Sequence, residues 1–251
     1  WASDALYYSD GAVTHSSAYN YRGNLLAAKI AEKIGEDAEP YRREAEAIRK
    51  AMNDRLWLEG KDAYVPNPTD IMTGKRTVTP NHWAEYQDKM GHQRKHADAA
   101  LWSVYTPIDC GVGNPSQMYE ATRYVTSHIP HIDVEIAGQE HSDYQVISTS
   151  DWLPYAWSIN NVASAEIMHT ALAYFEAGNS AEGYRLMKSN IMDQMYLGQS
   201  PANFGQINYY DAARGECYRD FGDNVGISSR TLIQGFFGIV PQALDGKCII
   251  R

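Results

Sequence analysis

The segment Gly178-Asn-Ser-Ala-Glu-Gly-Tyr-Arg185 decides the fold, because its pattern repeats that of the earlier segment Gly35-Glu-Asp-Ala-Glu-Pro-Tyr-Arg42. Each segment follows an apolar stretch, and a glycine in that place is typical of the end of a helix. In the second copy, Asn179 and Glu182 have the spacing of a capping box, which predicts that a new helix begins there. The shared joint therefore predicts a repeated unit of two helices connected by a short turn.

Apolar residues recur with helical spacing on both sides of each joint, which places them on one face of an amphipathic helix. In the first unit they are Leu26, Ile30 and Ile34 before the turn and Tyr41, Ala45, Ile48, Met52 and Leu56 after it. In the second unit they are Ala165, Met168, Leu172 and Phe175 before the turn and Tyr184, Met187 and Ile191 after it. Both units are therefore predicted to be antiparallel helix hairpins.

Three more helices bring the predicted total to seven. A shorter helix is predicted over residues 96–105. Asn114 and Pro115 match an N-cap followed by proline at the first helical position, so another helix should begin there. A final helix should start at Ser228 or Ser229 and end at Gly238.

The predicted connections alternate between short turns and segments of roughly thirty residues, far longer than the usual loop. The long ones span residues 59–95, 130–157 and 197–227. In an antiparallel array, alternate connections lie at the same end, so the long ones should gather on one face and build an active site there. Small β-ribbons are expected within them, as in the alternation of Ile132, Val134 and Ile136.

Composition excludes several classes of protein. The chain has 251 residues with a net charge of -9, which opposes binding to nucleic acid. It contains no long apolar run and no signal-peptide pattern in its first ten residues, and its ends at Trp1 and Arg251 suggest a processed chain or an excised piece. The histidine, serine and glycine spacings indicate no metal, cofactor, serine-hydrolase or phosphate site. Cys110, Cys217 and Cys248 are expected to be isolated buried thiols, although one disulfide remains open.

Carboxylates on the long connections are the candidate catalytic groups. Hydrolysis of a glycosidic bond needs one carboxylic acid to protonate the leaving oxygen and a second carboxylate as base or nucleophile. Asp151 directly precedes a predicted helix, whose N-terminus favours an ionised carboxylate, so it suits the base; a purely capping role is the alternative. Glu85 has aromatic and amide neighbours that can raise the pKa of a carboxyl group, so it suits the acid. Glu140 is the third catalytic candidate.

Aromatic and polar residues near these carboxylates are the candidate substrate-binding groups. The chain has 18 Tyr and 6 Trp, whose flat apolar faces and polar edges suit stacking on sugar rings, although they equally suit the rim of a helical core. The candidates are His82, Trp83, Trp152, Tyr155, Trp157, Asn203 and Asp223.

Several segments together resemble the six-hairpin glycosidase superfamily. They are Tyr19-Asn-Tyr-Arg22, Thr106-Pro-Ile-Asp-Cys-Gly111, Asp151-Trp-Leu-Pro-Tyr-Ala-Trp-Ser-Ile-Asn-Asn161, Gln234-Gly-Phe-Phe-Gly-Ile239 and Leu244-Asp-Gly246. The chain is similar in particular to the catalytic-domain portions of large bacterial polysaccharide-degrading proteins. The resemblance implies an (α/α)6 toroid, usually inverting hydrolysis, and secretion to the periplasm or cell surface. Such a toroid has twelve helices, so the missing ones should come from upstream sequence or from another chain.

These observations predict an all-α fold of antiparallel helix hairpins, with residues 1–251 forming a single α/α-toroid domain from the C-terminal portion of a larger barrel. The predicted function is hydrolysis of a glycosidic bond in an oligosaccharide or polysaccharide. Two alternatives remain. One is a toroid that binds carbohydrate without cleaving it. The other is a polysaccharide lyase, which would need basic side chains beside a uronate.

Overall fold

The computed structural model of the chain describes residues 11–59, 80–88, 95–138, 140, 142–150, 161–197, 209–211, 216–218 and 224–251. Within these ranges the chain is mostly helical. The α-helices there are α1 (Thr14–Ile34), α2 (Glu39–Arg55), α3 (Leu101–Asp109), α4 (Pro115–His128), α5 (Ser164–Glu176), α6 (Ser180–Ile191) and α7 (Asn224–Arg230). Two π-helical segments, Met192–Tyr196 and Thr231–Phe236, continue α6 and α7 respectively.

Short turns that contain a left-handed glycine connect α1 to α2 and α5 to α6. Gly35 has a φ of 80° and Gly178 a φ of 83°, a region that residues with a Cβ rarely adopt. The prediction that these glycines end helices is therefore confirmed. The predicted capping role of Asn179 is wrong, because its side chain makes no capping hydrogen bond. Glu182 instead pairs with Arg185 on the same helix.

A second glycine in the repeated segment sets how closely α6 approaches α5. A Cβ on Gly183 would lie 3.0 Å from the carbonyl oxygen of Ala171 and 3.2 Å from the ring of Phe175. The absence of a side chain therefore lets the two helices pack at short range.

The odd-numbered helices form a row. In this row α3 packs against both α1 and α5, and α5 packs against α7. The even-numbered helices pack against members of the row, with α2 on α1, α6 on α5, and α4 on both α3 and α5.

The N-terminal ends of the four row helices lie together, and we call this region the starting end. The backbone N–H of Thr14, at the start of α1, donates to the carbonyl of Glu85, whose carboxylate accepts from Ala100 beside the start of α3. Thr149 bonds both to Leu101 and to Asn161, just before α5. The side chains of Ser164 and Asn224, the first residues of α5 and α7, are hydrogen-bonded at 3.1 Å. The row helices therefore run in the same direction.

Short antiparallel strands connect and flank the helices. They are β1 (Gly11–Val13), β2 (Trp57–Leu58), β3 (His82–Trp83), β4 (Tyr86–Asp88), β5 (Lys95–His96), β6 (His131–Asp133), β7 (Gln145–Ile147), β8 (Val162–Ala163), β9 (Tyr209–Asp211), β10 (Glu216–Tyr218), β11 (Ile239–Gln242) and β12 (Lys247–Ile250). Their sheet orders are β1-β4-β5, β10-β9-β8, β2-β3, β6-β7 and β11-β12. The β6-β7 pair, in which Ile132 faces Val146, confirms the small ribbon predicted there.

Three predicted helix boundaries differ from the structure because tertiary contacts override local pattern. The first helix was expected at residues 24–34, but α1 starts at Thr14, where one side of a polar segment is buried against the core. The helix predicted over 96–105 runs instead over 101–109, because Lys95–His96 pairs with β4 as a strand. The last helix begins at Asn224, before the predicted serines, because Asn224 is hydrogen-bonded to Ser164.

The main core lies between the row helices and α4. Its largest fully buried side chains include Trp83, Leu101, Tyr124, Met168 and Leu172. Cys110 is a free, buried thiol as predicted, whereas Cys248 is free and exposed, so the prediction of a buried thiol is wrong there. No helix in the described ranges is long and apolar enough to span a membrane.

Candidate functional site

Glu85 lies at the starting end and connects three segments of the chain. It is 1% exposed. One carboxylate oxygen accepts the indole N–H of Trp102 at 2.6 Å, and the other accepts the backbone N–H of Ala100 at 3.0 Å. A general acid must present a proton to its substrate, whereas both oxygens of Glu85 accept hydrogen bonds from N–H groups. This geometry suits a structural carboxylate that connects α3 to the β3–β4 segment through hydrogen bonds. The catalytic role of Glu85 stays a prediction.

His82 and Trp83 pack inside the core beside Glu85. Trp83 has no exposed surface; its indole N–H donates to Asn53 at 3.3 Å, and its ring meets Trp57 edge to face at 4.7 Å. A sugar therefore cannot stack on Trp83 in this conformation. The ring of His82 stacks on Tyr124 at 4.0 Å, and burial lowers its pKa. The structure thus gives both residues packing contacts rather than an open binding face.

The other predicted site residues divide into two groups. Glu140 lies in the described part of the chain and is exposed. The remaining ones lie outside the described residues. They are Asp151, Trp152, Tyr155, Trp157, Asn203 and Asp223.

A buried polar cluster that the sequence analysis missed lies at the starting end, and we call it the amide cluster. Its members are Ser164, Asn190, Asp193, Gln194 and Asn224. The amide nitrogens of Asn190 and Asn224 both donate to the hydroxyl oxygen of Ser164, at 2.9 and 3.1 Å. Among the described residues, the amide oxygens of Asn190, Gln194 and Asn224 are buried without a hydrogen-bond partner. An unpaired buried acceptor is costly, so a group of three such amide oxygens marks the cluster as a candidate functional feature.

Asp193 gives the amide cluster an ionisable group. It lies in the π-helical segment after α6, and π-helical turns are frequent at functional sites. Burial raises the pKa of Asp193 to about 6, and the charge of Glu135 adds to this effect, against a hydrogen bond from Gln194. Asp193 can therefore carry or release a proton close to neutral pH. The signal in the sequence was the run Asn190-Ile-Met-Asp-Gln194, which places polar side chains one helical turn apart.

A second polar cluster, centred on Asp109, joins all four row helices about two turns from the starting end. Arg22 of α1 and Arg230 of α7 form ion pairs with Asp109, and His169 of α5 bonds to it at 2.8 Å. The ring of Tyr105 stacks on His169 at 4.1 Å. Burial alone would raise the pKa of Asp109, but the hydrogen bonds from Arg230 and His169 hold it well below its ordinary value. Arg22 and Asp109 belong to segments that carry the glycosidase resemblance, which was the signal available in the sequence.

Histidine, cysteine and acidic side chains form no group of three that could hold a metal ion within the described ranges. Comparison with known proteins found no matching family model and no matching curated protein, so the function must be inferred from the residues and their geometry.

Proposed function

We propose that the chain forms an arc of an α/α toroid in a secreted glycoside hydrolase. The observation that carries the proposal is the parallel row of α1, α3, α5 and α7, whose starting ends meet in hydrogen-bonded contact. A row of parallel helices with partner helices packed against it is the arrangement expected of a toroid built from helix hairpins. The long connections enter the row at the starting end, so the substrate cleft is proposed there.

The proposed chemistry uses one carboxylate as base and a second as acid. Asp151, thirteen positions before the first residue of α5, is the proposed base that activates water at the anomeric carbon. Asp193, whose pKa burial raises to about 6, is a second candidate for the acid beside Glu85, and both side chains are buried, at 2% and 1% exposure.

The test is to incubate the chain with a panel of plant and microbial oligosaccharides and polysaccharides and to measure hydrolysis as the release of reducing ends. For the cleaved glycan, Asp151→Asn should lower kcat at least about 10²-fold while sugar affinity and Tm change little. Asparagine keeps the size of the aspartate side chain and removes only its charge, and α5 begins thirteen positions later at Ser164, so no helix cap is lost there. Asp54→Asn, on the exposed surface of α2, is the control and should retain wild-type turnover.

Different outcomes separate the alternatives. Asp151→Asn with wild-type turnover would remove Asp151 from the mechanism. Binding of a glycan with no release of reducing ends would indicate the carbohydrate-binding toroid instead. Unsaturated uronate products would indicate the lyase.

A further inference from the structure

A cavity of about 320 Å³ lies at the opposite end of α5 from the starting end, where the chain turns at Gly178 into α6. It lies between the end of α5, the first turns of α6 and the π-helical segment after α7. Its lining includes Phe175, Glu176, Tyr184, Gln234, Phe236 and Arg251. Ligand pockets in proteins begin at about 300 Å³, so the cavity suits a small molecule.

Aromatic rings form the apolar part of the cavity. The rings of Tyr184 and Phe236 stack with centroids 5.6 Å apart, and Phe175 meets Phe236 edge to face at 6.5 Å. Tyr184 is 44% and Phe236 is 46% exposed, so both keep ring surface available to a ligand. Flat apolar surface of this kind suits the C–H face of a sugar ring.

Glu176 supplies the main polar group of the cavity. Its Oε2 atom is buried and has no hydrogen-bond partner among the described residues, while its Oε1 atom lies 4.0 Å from the guanidinium of Arg230. Burial raises the pKa of Glu176 to about 7. Near neutral pH the carboxyl group can therefore donate a hydrogen bond to a hydroxyl oxygen or accept one from a hydroxyl group.

The charges around the cavity favour a neutral ligand. Asp109 raises the pKa of Glu176, and Arg230, Arg251 and Arg22 lower it. Asp109 is itself paired with Arg22 and Arg230, so part of the positive charge near the cavity is compensated. An organic cation would be opposed by the three arginines, and an anion by the carboxylates of Glu176 and Asp109. A hydroxylated ring without a net charge can stack on the aromatic side chains and form a hydrogen bond with Glu176, and neither charge sign opposes it.

We propose that this cavity is a second binding site, for one neutral sugar ring, separate from the cleft at the starting end. The inference goes beyond glycosidic bond cleavage, because the cavity holds a sugar without a reaction. It stands on the cavity, the aromatic rings and the unpaired carboxylate oxygen, so it can hold or fail independently of the proposed hydrolase activity.

The test is binding of the methyl glycosides of glucose, galactose, xylose, arabinose and rhamnose, each measured by saturation-transfer and titration NMR on the whole chain. At least one should bind with a Kd below about 10 mM and show transfer to its ring C–H protons. Tyr184→Ala should weaken that binding at least about tenfold. Tyr41→Ala is the matched control, because Tyr41 holds the same position in the first joint with 42% exposure and should leave binding unchanged.

A second variant guards against loss of fold. Phe236→Leu keeps an apolar side chain but removes the aromatic face, and it should weaken binding while the circular dichroism spectrum stays that of the wild type. Binding of none of the five glycosides would overturn the proposal. Equal binding by wild type, Tyr184→Ala and Phe236→Leu would overturn it as well.

Discussion

At the scale of single residues, Asp109 connects more of the molecule than its sequence context indicates. Its partners Arg22, His169 and Arg230 come from α1, α5 and α7, and its side chain is 3% exposed. Such a buried carboxylate compensates several donors at once, of which His169 and Arg230 are mostly buried and Arg22 is partly exposed. Removing one member of a buried ionic network leaves the others desolvated and unpaired, which costs more than the pair contributes when intact.

We expect Asp109→Asn to lower the free energy of unfolding by about 3–5 kcal/mol, because two guanidinium groups would lose their counter-charge. Urea denaturation at neutral pH measures this change. Asp245→Asn is the control, because Asp245 forms a partly exposed pair with Lys29, and the loss of such a pair should have little effect. A loss for Asp109→Asn no larger than for Asp245→Asn would show that the cluster is not stabilising. Since the pKa of Asp109 is depressed in the folded chain, its contribution is present above its unfolded pKa and is lost as the pH falls.

Glu176 should produce the opposite pH dependence. Its pKa is raised by burial from 4.5 to about 7, so between these values the folded chain keeps a proton that the unfolded chain has released. Stability from this group is therefore present at low pH and is lost as the pH rises through about 7. The amide side chain in the Glu176→Gln variant does not titrate, so between about pH 4 and about pH 8 the variant should gain stability relative to wild type by on the order of 3 kcal/mol. Urea denaturation at both pH values measures the difference, and parallel pH profiles for the two proteins would contradict it.

At the scale of secondary-structure elements, two asparagines placed before helices behave differently. Asn114 forms a complete capping box: its side chain accepts from Gln117, and the Gln117 side chain accepts from the backbone N–H of Asn114. Asn179 makes no side-chain capping bond before α6. The local sequence pattern was similar, but only Asn114 has the extended backbone conformation that directs its side chain toward the first turn.

Asn114→Ala should therefore destabilise the chain by about 1 kcal/mol, whereas Asn179→Ala should leave its stability nearly unchanged. Thermal and urea denaturation of the two variants, side by side, measure the difference. Equal effects of the two substitutions would show that the capping box contributes nothing beyond the loss of an asparagine.

At the scale of the whole molecule, large apolar side chains remain exposed. Phe237 is 61% and Ile34 is 68% exposed, and Ile30 and Ile233 are each close to half exposed. Monomeric proteins rarely leave extended apolar patches in contact with water. This agrees with the proposal that further helices, from the same protein or another copy, complete the toroid.

The isolated chain is therefore expected to self-associate. Sedimentation velocity should show a concentration-dependent rise in mass, and the double substitution Phe237→Ser and Ile34→Ser should reduce it. The matched control is the double substitution Tyr119→Ser and Leu244→Ser, at two other exposed apolar residues, and it should leave the association unchanged. A monodisperse monomer that melts cooperatively at all concentrations would contradict both the expectation and the partial toroid.

The sequence by itself determined the helical character, the turns at Gly35 and Gly178, and the cap at Asn114. These features depend on interactions between residues that are only a few positions apart, so the local sequence is enough to specify them. Only the tertiary structure decided that Glu85 is a buried fastening group, that Asp109 joins four helices, and that Glu176 lines a cavity. The partners in these contacts are far apart along the chain: Asp109 and Arg230 are separated by 121 positions. Which distant side chains meet depends on how the helices pack, and packing is a property of the whole chain that no local pattern contains.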